Sequence, residues 1–300
     1  MRINYVIATY NGKCRRDHTC PKPNDVLRAH LVKLKSCMGA LQQVTIMVAK
    51  SQNYYHGYYD IEEITANFDI PVKVIHCDNY GYSMGQWLKA YEVYKGEFDY
   101  YILMEDDYCP GMQNFDNLMI DIYGRKFPDS VGLLCSLVEG SKDYAKRGGH
   151  PIHFEGGICV STKTLERLCE FWLTHGAKRG PREQLDKMTS KPASGGHYQV
   201  NFSHLFTMAG IEHEDYLDVG GEEGLLQCSY WDDEKGKIWF YDKGDILRET
   251  YTVDEVYRSP IIPIQLAKPA FVMHHTPFSL PVIKKAIARA PKASKFRYHA

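Results

Sequence analysis

Short apolar runs recur along the first third of the chain, with helix-spaced stretches between them. Ile3–Ala8, Val44–Val48, Val72–His76 and Tyr100–Met104 are each about the length of a buried strand. Between them, Asp25–Ala40 places Val26, Leu27, Leu31, Leu34 and Met38 at helical spacing, with Asn24 or Asp25 as N-cap. Gly85–Tyr94 does the same with Trp87, Leu88, Tyr91 and Tyr94. Strands that are apolar on both faces belong in a sheet covered on both sides. The alternation therefore predicts an α/β chain with a mostly parallel central sheet flanked by helices.

Beyond residue 110 the pattern loosens. Ser130–Leu137 and Ile158–Ser161 read as strands, the second opened by Gly156-Gly157. Lys163–His175 and Tyr198–Ala209 read as helices, the latter closed by Gly210. Residues 176–197 are basic and rich in Gly and Pro, which predicts a mobile loop. Residues 211–265 hold short strands and turns. No clean linker appears, so we expect one large domain: a nucleotide half over 1–110, an acceptor half over 111–283, and a basic tail over 284–300.

Composition excludes several classes. With 36 Lys and Arg against 37 Asp and Glu, the formal charge is −1, which argues against a general nucleic-acid binder. The apolar runs fall far short of the ~20 residues that cross a bilayer. The N-terminal run is too short for a signal peptide, so a cytoplasmic chain is expected. Nine scattered Cys without a CxxC pair point to free thiols in a reducing compartment. Membrane contact is expected only through the basic tail. Tyr is abundant, 22 against 12 Phe, and suits both sugar or base stacking and core lining.

The sharpest local signal is YYILMEDDYCP, where an apolar strand runs straight into Glu105, Asp106 and Asp107. In a parallel sheet the carboxyl ends of the strands open into the ligand crevice. Clustered carboxylates repel one another, and a divalent cation relieves the repulsion. Oxygen donors suit Mg²⁺ or Mn²⁺. The bland alternative is a solvated acidic turn. About twenty residues upstream stands Asp78-Asn79-Tyr80-Gly81, followed by Gly85; downstream Glu155-Gly156-Gly157 precedes an apolar strand. Each is also ordinary turn chemistry. His274-His275 ends a late apolar stretch, and alternation in a strand puts the two on opposite faces.

Taken in order, these pieces resemble the nucleotide-sugar glycosyltransferases of the GT-A fold, the group whose acidic motif is written DXD. The resemblance spans roughly residues 1–215. It implies that Ala8, Thr9, Tyr10 and Asn11 cradle the nucleobase and ribose, with Asp78 and Asn79 nearby and Gly81 and Gly85 shaping the approach. It makes Glu105 and Asp107 the metal-binding acids and sets Asp106 near the ribose or sugar. It places Gly156 and Gly157 beside the donor sugar and acceptor, and has His274 or His275 complete the metal site. The implied reaction moves a monosaccharide from a nucleoside diphosphate sugar, UDP being the commonest nucleotide among relatives, to a glycan acceptor. A general base is sought among Glu155, Glu183 and Asp186; without one, a retaining mechanism remains open. Two features depart from the family. Glu105 replaces its first Asp, and Gly85-Gln86-Trp87 stands where Ala-Arg-Asn is frequent. Two other readings stay open: a sugar-phosphate nucleotidyltransferase, and a non-catalytic carbohydrate-binding protein. Against the first, TYNGKCRRD after the first strand carries one Gly only, although Lys13, Arg15 and Arg16 would supply charge to phosphates.

Overall fold

A computed structural model describes residues 1–11, 23–50, 65–66, 68–106, 108–139, 152–188, 196–216, 218–221, 225–232, 237–242 and 247–252. Its backbone is a seven-stranded mixed sheet in the order β3-β2-β1-β4-β7-β6-β8. These strands are β1 (Ile3–Asn11), β2 (Gln43–Lys50), β3 (Val72–Asp78), β4 (Tyr100–Glu105), β6 (Leu133–Glu139), β7 (Ile152–Ser161) and β8 (His213–Asp215). Strands β3, β2, β1 and β4 run parallel, β7 runs antiparallel to both β4 and β6, and β6 pairs β8 in parallel. The fold is therefore of the Rossmann-like α/β kind expected from the alternation.

Side-chain alternation along the strands sorts the core into two faces. One carries Val6, Ala8, Met47, Ala49 and Leu103. Against it pack Trp87, Leu88 and Tyr91 of helix α2 (Tyr82–Val93), Leu165, Leu168 and Trp172 of α4 (Thr162–Thr174), and Phe202, Leu205 and Phe206 of α6 (Gly196–Met208). The other face carries Ile3, Tyr5, Ile7, Val44, Ile46, Val48 and Ile102. It is covered by Leu27, Leu31 and Leu34 of α1 (Pro23–Cys37), and by Phe115, Met119 and Tyr123 of α3 (Phe115–Lys126). Full burial of each large side chain contributes roughly 1.5–3 kcal/mol of transfer free energy, so both helix layers are held by the sheet they cover.

Several local expectations are corrected. Gly85 does not open a helix. Helix α2 begins at Tyr82, and Gly85 sits one turn inside it, its N–H bonded to the Gly81 carbonyl at 2.9 Å. The left-handed residues are Gly81 and Tyr82, at φ 81° and 54°. A Cβ on Gly85 would stand 1.7 Å from the Tyr80 carbonyl oxygen, which is why that position takes no side chain. Strand β7 begins at Ile152, so Gly156-Gly157 lies within it, where its register with β6 jumps from Cys135↔Ile158 to Ser136↔Glu155. The stretch 176–197, expected to be a loop, contains helix α5 (Pro181–Met188); proline suits a first helical turn because its missing N–H would have had no partner there. The short strands after residue 211 include β9 (Leu226–Asp232), β10 (Lys237–Asp242) and β11 (Leu247–Thr252), which join β5 (Tyr108–Pro110) in a second, antiparallel sheet in the order β11-β10-β9-β5. Among the described residues no helix is long and apolar enough to cross a membrane. The tail 284–300 and its suggested membrane contact lie outside the described residues, as do His274 and His275.

Candidate nucleotide crevice

From β1 the chain moves outward in one direction through β2 to β3, then returns to lay β4 on the other side of β1. That reversal is where open α/β sheets form a crevice beyond the carboxyl ends of their strands. Here the crevice has a defined opening. The β1–β4 ladder ends at Ala8↔Glu105, while β1 stays paired with β2 as far as Asn11↔Lys50.

Side chains bridge the point of parting. Thr9 Oγ1 donates to Asp106 Oδ2 at 2.8 Å, and the Thr9 N–H donates to Gln86 Oε1 at 3.2 Å. Helix α2 grips the end of β4 as well. Trp87 Nε1–H donates to the Met104 carbonyl at 3.1 Å, and the Ser83 hydroxyl donates to Glu105. From the opposite face, α1 contributes His30, whose Nδ1 lies 3.2 Å from the Asp106 carbonyl. Only a protonated Nδ1 satisfies that oxygen, so Nε2 is the acceptor, and Tyr5 O–H donates to it at 2.7 Å. Burial lowers the His30 pKa to about 4, which keeps the ring neutral at physiological pH. Burial likewise raises the Tyr5 hydroxyl well above its ordinary value, in keeping with its role as donor. Thr9, His30, Gln86 and Asp106 are all buried.

A second polar region rims the same end of the sheet at β3. A cavity of about 390 Å³ is lined by Asp78, Tyr80, Lys89, Glu92, Arg179, Arg182 and Glu183. Arg182 of α5 pairs with Asp78 at 2.7 Å and lies over the Tyr80 ring, 5.1 Å from its centroid. The Arg182 hydrogen bond holds the Asp78 carboxyl below its ordinary range. Leu185 of the same helix packs against Gly81, so α5 braces the turn that starts α2.

These positions redistribute the candidate residues. Ala8 and Thr9 stand at the opening; Tyr10 and Asn11 continue β1 beyond it. Glu105 ends β4 and Asp106 begins the turn after it, whereas Asp107 lies outside the described residues. Asp78 was expected beside a base or ribose. It closes the edge strand β3, and its carboxylate is engaged by Arg182. Asn79 is exposed beside it. Glu183 is corrected as a base. It pairs with Lys187 at 2.7 Å and accepts the Arg179 N–H at 2.9 Å, and these bonds lower its pKa, whereas a base working near neutrality needs the opposite shift. Asp186 falls in α5, and Glu155 and Gly156 fall in β7; of these three only the backbone is described. At Gly157 a Cβ would meet Leu226 at 2.4 Å and Met104 Sδ at 3.1 Å, so the missing side chain lets the second sheet approach closely.

Of the expected metal ligands only Glu105 is described; Asp107, His274 and His275 lie outside the described residues. Among the described residues no three His, Cys, Asp or Glu side chains are grouped to hold an ion, and Glu105 and Asp106 are hydrogen-bonded to Ser83 and Thr9. Arg182 belongs to the basic stretch 176–197 and Gln86 to the Gly85-Gln86-Trp87 departure, whereas no motif in the sequence singles out His30 or Ser83 as a site residue. The one signal for His30 was a polar residue on the apolar stripe of Leu27, Leu31 and Leu34.

No protein-family model and no curated protein matches the chain. Solved structures do. The chain is similar to a candidate glucose-1-phosphate thymidylyltransferase from Bacillus anthracis, at 12% identity and a TM-score of 0.44, over 75% of this chain and 89% of that one. It is similar to a CMP:2-keto-3-deoxy-manno-octonic acid synthetase complexed with CTP, at 12% identity and a TM-score of 0.40, over 72% and 90%. It is also similar to a 4-diphosphocytidyl-2C-methyl-D-erythritol synthase from Anaerococcus prevotii, at 9% identity and a TM-score of 0.40, over 71% and 88%. The glycosyltransferase expectation is corrected at this point. These three structures are named for nucleotidyl transfer and nucleotide-activated products, the alternative weighed from the sequence, and not for glycosyl transfer.

Proposed function

We propose that the chain is a nucleotidyltransferase that joins a nucleotide to a sugar phosphate. The observation that carries this reading is the parting of β1 and β4 after Ala8↔Glu105, at the reversal point of the sheet. A nucleoside triphosphate enters there with its base and ribose along Thr9 and Tyr10. The segment that joins β1 to α1 carries Lys13, Arg15 and Arg16, which supply positive charge to the triphosphate. A phosphate oxygen of the sugar phosphate attacks the α-phosphorus. A new P–O bond forms, the bond from the α-phosphorus to the bridging oxygen breaks, and pyrophosphate leaves. Such a reaction is driven largely by positioning and charge neutralisation. The rigid end of β1 supplies the first and the basic segment the second.

The test is a matrix of nucleoside triphosphates and sugar 1-phosphates in Mg²⁺ buffer, read as pyrophosphate release. Release that requires both substrates is expected. Nucleoside diphosphate release from nucleotide sugars, with no pyrophosphate from any pair, would overturn the reading.

A further inference from the structure

His30 occupies a place where a leucine would fit the pattern of its helix. It lies on the inner stripe of α1 with Leu27, Leu31 and Leu34, and is 1% exposed. A polar ring costs free energy there unless both nitrogens are satisfied. Both are, and the partners differ in kind. Nε2 is served by Tyr5, a residue of the sheet interior, while Nδ1–H reaches the carbonyl of Asp106, the first residue after the β4 ladder ends. The Asp106 side chain receives Thr9 Oγ1. Asp106 is thus fixed at its backbone from α1 and at its carboxylate from β1, 76 and 97 residues away in sequence. The Tyr5 and His30 rings meet edge to face, 5.7 Å between centroids, which fixes the imidazole plane.

We infer that His30 is a positioning residue of the crevice: from α1 it holds the turn after β4 at the distance from Thr9 that the bound nucleotide requires. This rests on the crevice being the nucleotide site. Acting through Asp106, His30 stays out of reach of the ligand. The donor matters and the ring does not. Asparagine places an amide N–H2 where Nδ1 stands, glutamine places one where Nε2 stands, and leucine places none.

Two measurements on the full chain test it. The first titrates wild type, His30→Asn, His30→Gln and His30→Leu with Mg²⁺ and whichever of CTP, UTP, dTTP or ATP binds wild type most tightly, by calorimetry. His30→Leu and His30→Gln should raise Kd about tenfold, the effect of losing one buried hydrogen bond, with stoichiometry unchanged. His30→Asn should stay within about threefold of wild type. A merely structural role would lower the binding-competent fraction and leave Kd alone; that result, or Asn failing to rescue, overturns the inference. The second measurement is independent of ligand. The Trp87 indole N–H bonds the end of β4, so its ¹H–¹⁵N resonance should move in His30→Leu and return in His30→Asn. If wild type binds none of the nucleotides, the proposed function fails. The positioning inference then stands or falls on the indole resonance, and an unmoved resonance in His30→Leu refutes it.

Discussion

Two polar regions share the carboxyl end of the parallel strands, and they are built on opposite terms. The floor, where β1 and β4 part, is a buried lattice of Tyr5, His30, Thr9, Gln86 and Asp106 joined across the sheet by hydrogen bonds. The rim, at β3, α2 and α5, is made of ion pairs that each keep at least one partner open to water: Arg182 with Asp78, Lys89 with Glu92, and Lys187 with Glu183. Removed from solvent, the floor members cannot trade their bonds for water and hold one geometry. The rim members exchange protein for water at little cost. A crevice that must present fixed groups to a ligand draws them from the first kind, and a cavity mouth is built from the second.

The comparison is broken most easily by acid. His30 drops from its ordinary 6.5 to about 4 on folding, so the unfolded chain binds a proton between those values that the folded chain does not. Stability conferred by the neutral ring is complete above the unfolded value and is lost as pH falls from 6.5 toward 4. At 1.36 kcal/mol per pH unit this amounts to about 3 kcal/mol. Urea titrations across that window should show the slope in wild type and its loss in His30→Asn; parallel slopes would mean the ring is not neutral and buried. A smaller effect is expected of Thr9→Val, which strands Asp106 Oδ2 without its donor. We expect a loss of about 1–3 kcal/mol that is the same in low salt and in about 0.5 M NaCl. A loss that vanishes in salt would move the floor into the class of the rim. Least of all is expected from Arg182→Ala. Its partner Asp78 is 69% exposed, so the change should cost under about 1 kcal/mol and shrink further in salt. A cost comparable to that of Thr9→Val would make the rim structural.

Different physics made some of this legible in the sequence and hid the rest. The strands β1, β2 and β4 could be read because buried parallel strands are apolar on both faces and leave uninterrupted runs, and β3, an edge strand with one buried residue, was read from its β-branched residues. The acidic end of β4 followed from that, while β1 runs on past the apolar run ending at Ala8 as far as Asn11. Helix α5 was hidden by its composition: Pro181 and a run of charges look like loop, although the proline is harmless where it stands. The start of β7 was hidden because Gly156-Gly157 read as its beginning, when the glycines mark a register shift inside it. The lattice of the floor was unreadable for a different reason. Its bonds join residues 25 to 97 apart, and nothing local tells which partner the ring of His30 or the amide of Gln86 will meet. Glu183, one of the three bases sought in the sequence, shows the opposite effect. Glu183 stood out because it was charged and near a loop, and its charge is spent on its own helix.

The close fit at Gly157 reaches further than the glycine. Leu226 of the antiparallel sheet enters the space where a side chain would stand, alongside Met104 of β4. The backbone of Met104 is the one that Trp87 holds at the crevice. The two sheets are thereby keyed together like a tenon in a mortise, and the peg touches the strand that ends in the acidic turn. Shaving Leu226 would loosen the joint, and the slack would be felt first at Met104, one residue short of Glu105.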